Sequence, residues 1–193
     1  MTRLRRPWSA GVLIAVAVGL VTGCGGDEST ASLPTEAAPP QVTERTWREQ
    51  FPETGPGFSF RIRRFAVTAG GWEADVEVEN RTDIPWRLPG AENAVPTSFG
   101  VMLFRTDDVE EVEQRSANGD LPGLREAGTY TPSLPTRLAP RAAWRGTIAA
   151  RGSLAAGLYV RLVLGPFVAD GDPPEGMEAA FSWITDHAYR LRG

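Results

Sequence analysis

Few residues in this chain suit bond-making chemistry, and their spacing restricts them further. A Ser-His-Asp arrangement needs a histidine as its base, and the only one is His187, in Thr185-Asp186-His187. Ser98, Ser116, Ser133, Ser153 and Ser182 are available as nucleophiles. None stands in a Gly-x-Ser-x-Gly elbow, so His187 is expected to be a surface or structural residue beside the last strand. A zinc site takes three or four Cys or His ligands, and the chain has one of each. Copper carriage calls for His and Met clusters, whereas Met102 and Met177 are isolated. Carboxylates are plentiful, at Asp107, Asp108, Glu110, Glu111, Glu113 and in Asp170-Gly171-Asp172. They do not match the longer spacing of a calcium loop. A glycosidase pair needs only proximity in space, and nothing in the sequence selects one. The expectation is a protein with no catalytic residues, no metal and no cofactor, and not an enzyme.

The one cysteine, Cys24, has a different context. Arg3, Arg5 and Arg6 precede an uncharged apolar run from Trp8 to Val21, and small residues follow. Positive start, short apolar run and small residues together describe a secretory signal peptide, and the run is short of the ~20 residues a membrane span needs. Leu20-Val21-Thr22-Gly23-Cys24 then resembles the bacterial lipobox, an aliphatic residue and two small ones before an obligatory Cys. The resemblance implies a diacylglyceryl thioether on Cys24 and cleavage after Gly23. Two acyl chains satisfy the requirement of stable anchoring for more than one chain. The implied location is the extracytoplasmic face of a cell membrane.

Residues 1–23 are therefore assigned as the signal peptide, and 24–57 as the lipidated Cys and a flexible linker. The first part of that linker is rich in Gly, Ser, Thr and Pro (Gly25, Gly26, Ser29, Thr30, Ser32, Pro34, Pro39, Pro40), a composition that buries too little apolar surface to offset its ordering entropy. Trp47 and Phe51, near its end, are candidates to dock on the folded part. Without the leader the chain carries 17 Arg against 24 Asp and Glu, and no Lys. That excess of negative charge argues against nucleic acid, whose phosphates it repels, and offers no polybasic attraction to anionic headgroups.

From Phe58 onward the apolar period is two. In Trp72-Glu73-Ala74-Asp75-Val76-Glu77-Val78-Glu79 the apolar residues share one face and four carboxylates the other, as in a strand with one wet side. Phe58, Phe60 and Ile62 alternate with polar residues, and the phase slips at Arg64 before Phe65 and Val67, which predicts a β-bulge there. Gly70-Gly71 joins the two runs as a hairpin turn. Further strands are expected at Phe99 to Leu103, Trp144 to Ala150, Tyr159 to Leu164 and from Phe181. Loops carry Pro85, Pro89, Gly90, Pro135, Pro140, Gly165 and Pro166, and a short polar helix fits Asp107 to Ala117. Short strands with turn signals between them predict an all-β sandwich over residues 58–193.

Two stretches, Trp72 to Asp83 with its Asn80-Arg81-Thr82 turn and Leu138-Ala139-Pro140-Arg141-Ala142-Ala143-Trp144-Arg145-Gly146, resemble the immunoglobulin-like domains of secreted actinobacterial lipoproteins. The resemblance implies an immunoglobulin-like antiparallel β-sandwich, here without the antibody-type Cys pair. It implies no activity, since the fold hosts many. One loop stands out: Asp83-Ile84-Pro85-Trp86-Arg87-Leu88-Pro89 sets Ile84, Trp86 and Leu88 among turn residues. Such residues either cap an open end of the sandwich or form a partner-binding patch, aromatic residues and Arg being enriched at hot spots. The function expected is a non-catalytic interaction module on a lipid anchor, contacting an envelope or secreted protein. The alternative is a lipoprotein that binds a small ligand or glycan. A hydrolase working through carboxylates alone stands behind both.

Overall fold

The alternation of apolar and polar residues produces strands, and pairing of those strands buries the apolar face. A computed structural model describes residues 36–44, 46–88 and 99–193. The leader, Cys24 and the first part of the linker lie outside them, as does Pro89-Gly90. Thirteen strands and one helix are formed by the described residues, and no helix among them is long and apolar enough to cross a membrane.

The first sheet is built on β3 (Phe58–Thr68) and β4 (Gly71–Asn80), a hairpin turning at Ala69-Gly70. Its register shifts between Ile62 and Arg64, the expected bulge, so Phe58, Phe60, Ile62, Phe65 and Val67 all point inward and are buried. β4 pairs with β10 (Ala143–Arg151), and β10 with the short edge strand β8 (Thr129–Thr131). The second sheet centres on β11 (Tyr159–Ala169). One edge of β11 carries β5 (Trp86–Arg87) and β6 (Gly100–Phe104); the other carries β12 (Ala180–Ile184) and β13 (Tyr189–Arg190). β7 (Leu124–Glu126) lies outside β6, and β9 (Arg137–Leu138) outside β5. Strand order β3-β4-β10-β8 against β6-β11-β12 is the A-B-E-D and C-F-G arrangement of the immunoglobulin fold. The chain is an immunoglobulin-like antiparallel β-sandwich.

Of three expectations, two are corrected and one is met. β11 does not stop at Gly165-Pro166. The ladder to β12 shifts register between Leu164 and Phe167, and this irregularity admits a proline, which cannot donate to a ladder, inside a central strand. The helix α1 (Val109–Ala117) forms as expected, its N-terminus capped by the Asp108 side chain, which accepts from the Glu110 N–H at 2.9 Å. Third, the domain begins well before residue 58. Ala37 bridges Ala155, Ala38 is buried, and β1 (Gln41–Thr43) and β2 (Trp47–Phe51) both pair with β3. Much of the expected linker, from Glu36 onward, is therefore part of the sandwich.

β1 and β2 close a seam. They line the free edge of β3, and from there β2 reaches across to the opposite sheet. The Phe51 ring lies 4.9 Å from Phe181, and Trp47 lies 4.2 Å from Tyr189. Between them Glu49, its side chain 8% exposed, accepts from the Asp186 N–H at 3.1 Å and meets the His187 ring at 2.9 Å. The aromatic interior beneath is continuous. Phe60 stacks on Trp183 at 4.3 Å, and Phe58 meets both Trp86 and Phe181 edge-on. Trp47→Ala/Phe51→Ala is expected to lower stability by roughly 2–4 kcal/mol, two half-buried aromatics at about 1–2 kcal/mol each, as measured by urea unfolding. An unchanged midpoint would show that β2 does not seal the sandwich.

Candidate functional site

Three regions bear on function: the loop marked by the sequence, the polar face of the first sheet, and the corner where the seam closes.

The loop is not a surface patch. Trp86 and Leu88 are fully buried and Ile84 is half-buried against the core, which corrects the assignment of Ile84, Trp86 and Leu88 as a partner-binding surface. The cause is a hydrogen-bond network on Asn80, itself fully buried at the end of β4. Its amide nitrogen donates to the carbonyl oxygens of Ile84 at 2.8 Å and Ala139 at 3.0 Å. Its amide oxygen accepts from the Thr82 backbone N–H and hydroxyl, at 2.9 and 2.7 Å. The Thr82 hydroxyl oxygen in turn accepts from the Trp86 indole N–H at 3.0 Å. Asn80-Arg81-Thr82 therefore drives the chain from one sheet to the other and draws Trp86 inward behind it. Trp86 lies on β5, along the same edge of β11 as β6, and packs edge-on against the Phe58 and Phe181 rings.

The polar face of the first sheet is a ladder of opposite charges. Glu77 of β4, its side chain 11% exposed, receives Arg63 at 2.8 Å, Arg145 at 2.9 Å and Arg61 at 3.6 Å. Arg64 pairs with Glu73, Arg81 with Glu79, and the Thr147 hydroxyl donates to Asp75 at 2.7 Å. Burial opposes ionisation of Glu77, but hydrogen bonds from Arg63 and Arg145 outweigh it and hold the carboxyl below its ordinary range. Three of the four carboxylates of the wet face, Glu73, Asp75 and Glu77, are thus engaged by neighbouring strands, a sheet-stabilising role, and Glu79 is held by Arg81 just beyond β4.

At the seam corner His187 is half-exposed, stacked on Trp47 at 4.6 Å and bonded to Glu49. A carboxylate orienting an imidazole is two-thirds of a nucleophilic triad, but among the described residues no hydroxyl is hydrogen-bonded to the ring. His187 ties β2 to the β12–β13 loop. Beside it lies a hollow of about 300 Å³ lined by Thr43, Trp47, Tyr159, Ala188, Tyr189, Arg190 and Arg192. No sequence pattern marks this hollow, because its residues come from three separated stretches, one of them within the expected linker. Tyr189 beneath it is buried, its hydroxyl without a partner. Burial, then the Glu49 charge, push that phenol's pKa up.

Carboxylates elsewhere are engaged or exposed: Asp170 pairs with Arg137 at 2.7 Å and Glu111 accepts from the Thr106 hydroxyl. No group of three or more His, Cys, Asp or Glu is placed to share a metal ion among the described residues. No protein-family model, curated protein or solved structure matches this chain.

Two outcomes follow. Trp86→Ala should cost about 3–5 kcal/mol of stability as a core truncation, seen as a lowered urea midpoint; a change below 1 kcal/mol would return Trp86 to the surface. Glu77 ionises more readily folded than unfolded, so the stability it adds is present above its ordinary value of 4.5 and is lost as pH falls below that toward the lower folded value. Glu77→Gln should therefore be less stable than the parent at pH 7, with the gap narrowing below pH 4.5. A gap independent of pH would contradict the pairing.

Proposed function

We propose that this chain is a membrane-anchored extracytoplasmic lipoprotein whose sandwich is a non-catalytic binding module. The observation that carries the reading is the order of the N-terminal residues: three arginines, an uncharged apolar run, then Leu20-Val21-Thr22-Gly23-Cys24. The sandwich already includes the bridge at Ala37, thirteen positions along the chain from Cys24. Thirteen residues reach at most about 45 Å when fully extended. A module so held acts within the envelope, close to the surface that anchors it. Support comes from the side chains: among the described residues no hydroxyl is bonded to the imidazole of the His187–Glu49 pair, and the polar sheet face is largely internally neutralised.

A protein of the envelope is the partner this reading favours. The alternative, a small-ligand or glycan-binding lipoprotein, draws support from the hollow at the seam corner, which sets the Trp47 and Tyr159 rings beside the Arg190 and Arg192 donors. Cys24→Ser should move the protein from the detergent phase to the aqueous phase in Triton X-114 partition. Retention of the variant in the detergent phase would defeat the lipoprotein reading.

A further inference from the structure

The hollow at the seam corner has a feature that sets it apart from the rest of this acidic chain: its arginines have no acid partners. Across the first sheet Arg48, Arg61, Arg63, Arg64, Arg81 and Arg145 each meet a carboxylate within 4 Å. Among the described residues none does so for Arg190 or Arg192. Arg190 lies over the Tyr159 ring at 6.0 Å, and Arg192 bonds through its backbone only, to the Gln41 side chain at 2.9 and 3.1 Å. Two residues along β11 from Tyr159, on the same face of the strand, Arg161 is only 8% exposed. Its Nε has no hydrogen-bond partner, and its guanidinium lies over Phe104 at 6.0 Å. Unpaired charge in a buried position is weakly screened, so Arg161 adds positive potential to a corner where two further guanidiniums are already free. Glu49 is engaged by His187, and the exposed Glu44, next to Thr43 in the chain, forms no ion pair within 4 Å with either rim arginine.

We propose that this hollow is a phosphate site, with Arg190 and Arg192 as donors, and that its ligand is the headgroup of an anionic phospholipid in the membrane that holds the anchor. Guanidinium forks match phosphate oxygens bidentately. The Thr43 hydroxyl is a further donor on the rim, and Trp47 and Tyr159 supply the amphipathic walls that suit a membrane interface. Position favours the lipid over a free phosphate. Its rim residue Arg192 is bonded to Gln41 of β1, and Gln41 stands seventeen positions after Cys24 in the chain. The lipid assignment rests on the lipoprotein reading; the phosphate chemistry does not.

The test uses the full chain carrying Cys24→Ser, so that acyl insertion does not mask a weaker site. It is titrated calorimetrically with sodium phosphate, with dihexanoylphosphatidylglycerol and with dihexanoylphosphatidylcholine, each lipid below its micelle concentration. The expected result is binding of the phosphatidylglycerol, weaker by about tenfold or more in Arg190→Gln/Arg192→Gln and unchanged in Arg87→Gln at the opposite end of the sandwich. Circular dichroism checks that the variants keep the parent's fold; both hollow arginines are exposed. Binding of inorganic phosphate as tight as that of the lipid keeps the phosphate site and overturns the lipid assignment. Equal binding of both lipids, no binding of any probe, or a double variant that binds like the parent overturns the proposal. The anchor is judged separately, by Triton X-114 partition of the chain with Cys24 intact. An unlipidated chain that binds phosphatidylglycerol defeats the lipoprotein reading alone, and a lipidated one with an indifferent double variant defeats the hollow alone.

Discussion

A buried amide cannot be left unsatisfied, and much of this sandwich is arranged around the one at Asn80. Each polar atom of that side chain, sealed from water, must find a partner or cost about 1–3 kcal/mol. The partners are the Ile84 and Ala139 carbonyls on one side and Thr82 on the other. These lie in two different loops. Satisfying Asn80 therefore fixes both the crossing from β4 to β5 and the turn that leads into β10. Trp86 follows because its indole N–H, also buried, takes the Thr82 hydroxyl. The aromatic interior then packs outward from Trp86 through Phe58 to Phe181. Contacts near the same turn but open to water, such as Arg141 to Asp83, which are 63% and 84% exposed, are of the kind that adds little.

The opposite end depends on a second buried polar group. Glu49 stands at an inward position of β2, between Trp47 and Phe51, where an apolar residue would ordinarily sit. It is tolerated because the loop after β12 offers it a backbone N–H and the His187 ring. The same bonds hold the first strands across the seam. The hollow is a by-product of this closure: where β1 gives way to β2, Thr43 and Trp47 stand apart from Tyr159 and Arg190 and leave a space between them.

The sequence made the regular parts legible and the compensated parts illegible. Period-two alternation located β3, β4, β6, β10 and β12, and the phase slip at Arg64 located the bulge, because there the side chains sort by polarity alone. β2 is hidden in the sequence because Glu49 breaks the alternation of Trp47 and Phe51, and the bond that licenses it lies 138 residues away. The continuation of β11 past Gly165-Pro166 is hidden because the bulge that accommodates proline is a property of pairing with β12. The choice between cap and patch for Trp86 stays open in the sequence for a related reason. Proline and aspartate around it signal a loop, and the decisive fact is the acceptor four residues earlier on Thr82, held in place by Asn80. The turn at Asn80 and the tryptophan at 86 were both visible; that one buries the other was not.

Net charge misleads here in the same way. An excess of seven carboxylates over arginines in the part after the leader says that the protein as a whole repels polyanions, and at long range that holds. At the length of a phosphate ester what matters is which charges are already paired. The first sheet holds six arginines within 4 Å of carboxylates, so it presents little free charge of either sign. Helix α1 keeps several acids near the start of β11, yet its Arg115 takes Glu111 and Asp120. At the seam corner three arginines meet no carboxylate within 4 Å among the described residues: Arg161 two positions along β11 from Tyr159, and Arg190 and Arg192 at the rim. Screening over about 8 Å in physiological salt lets such a corner act independently of the acidic remainder. An acidic protein can thus carry a cationic site, provided the residues that build it are those its own carboxylates do not reach.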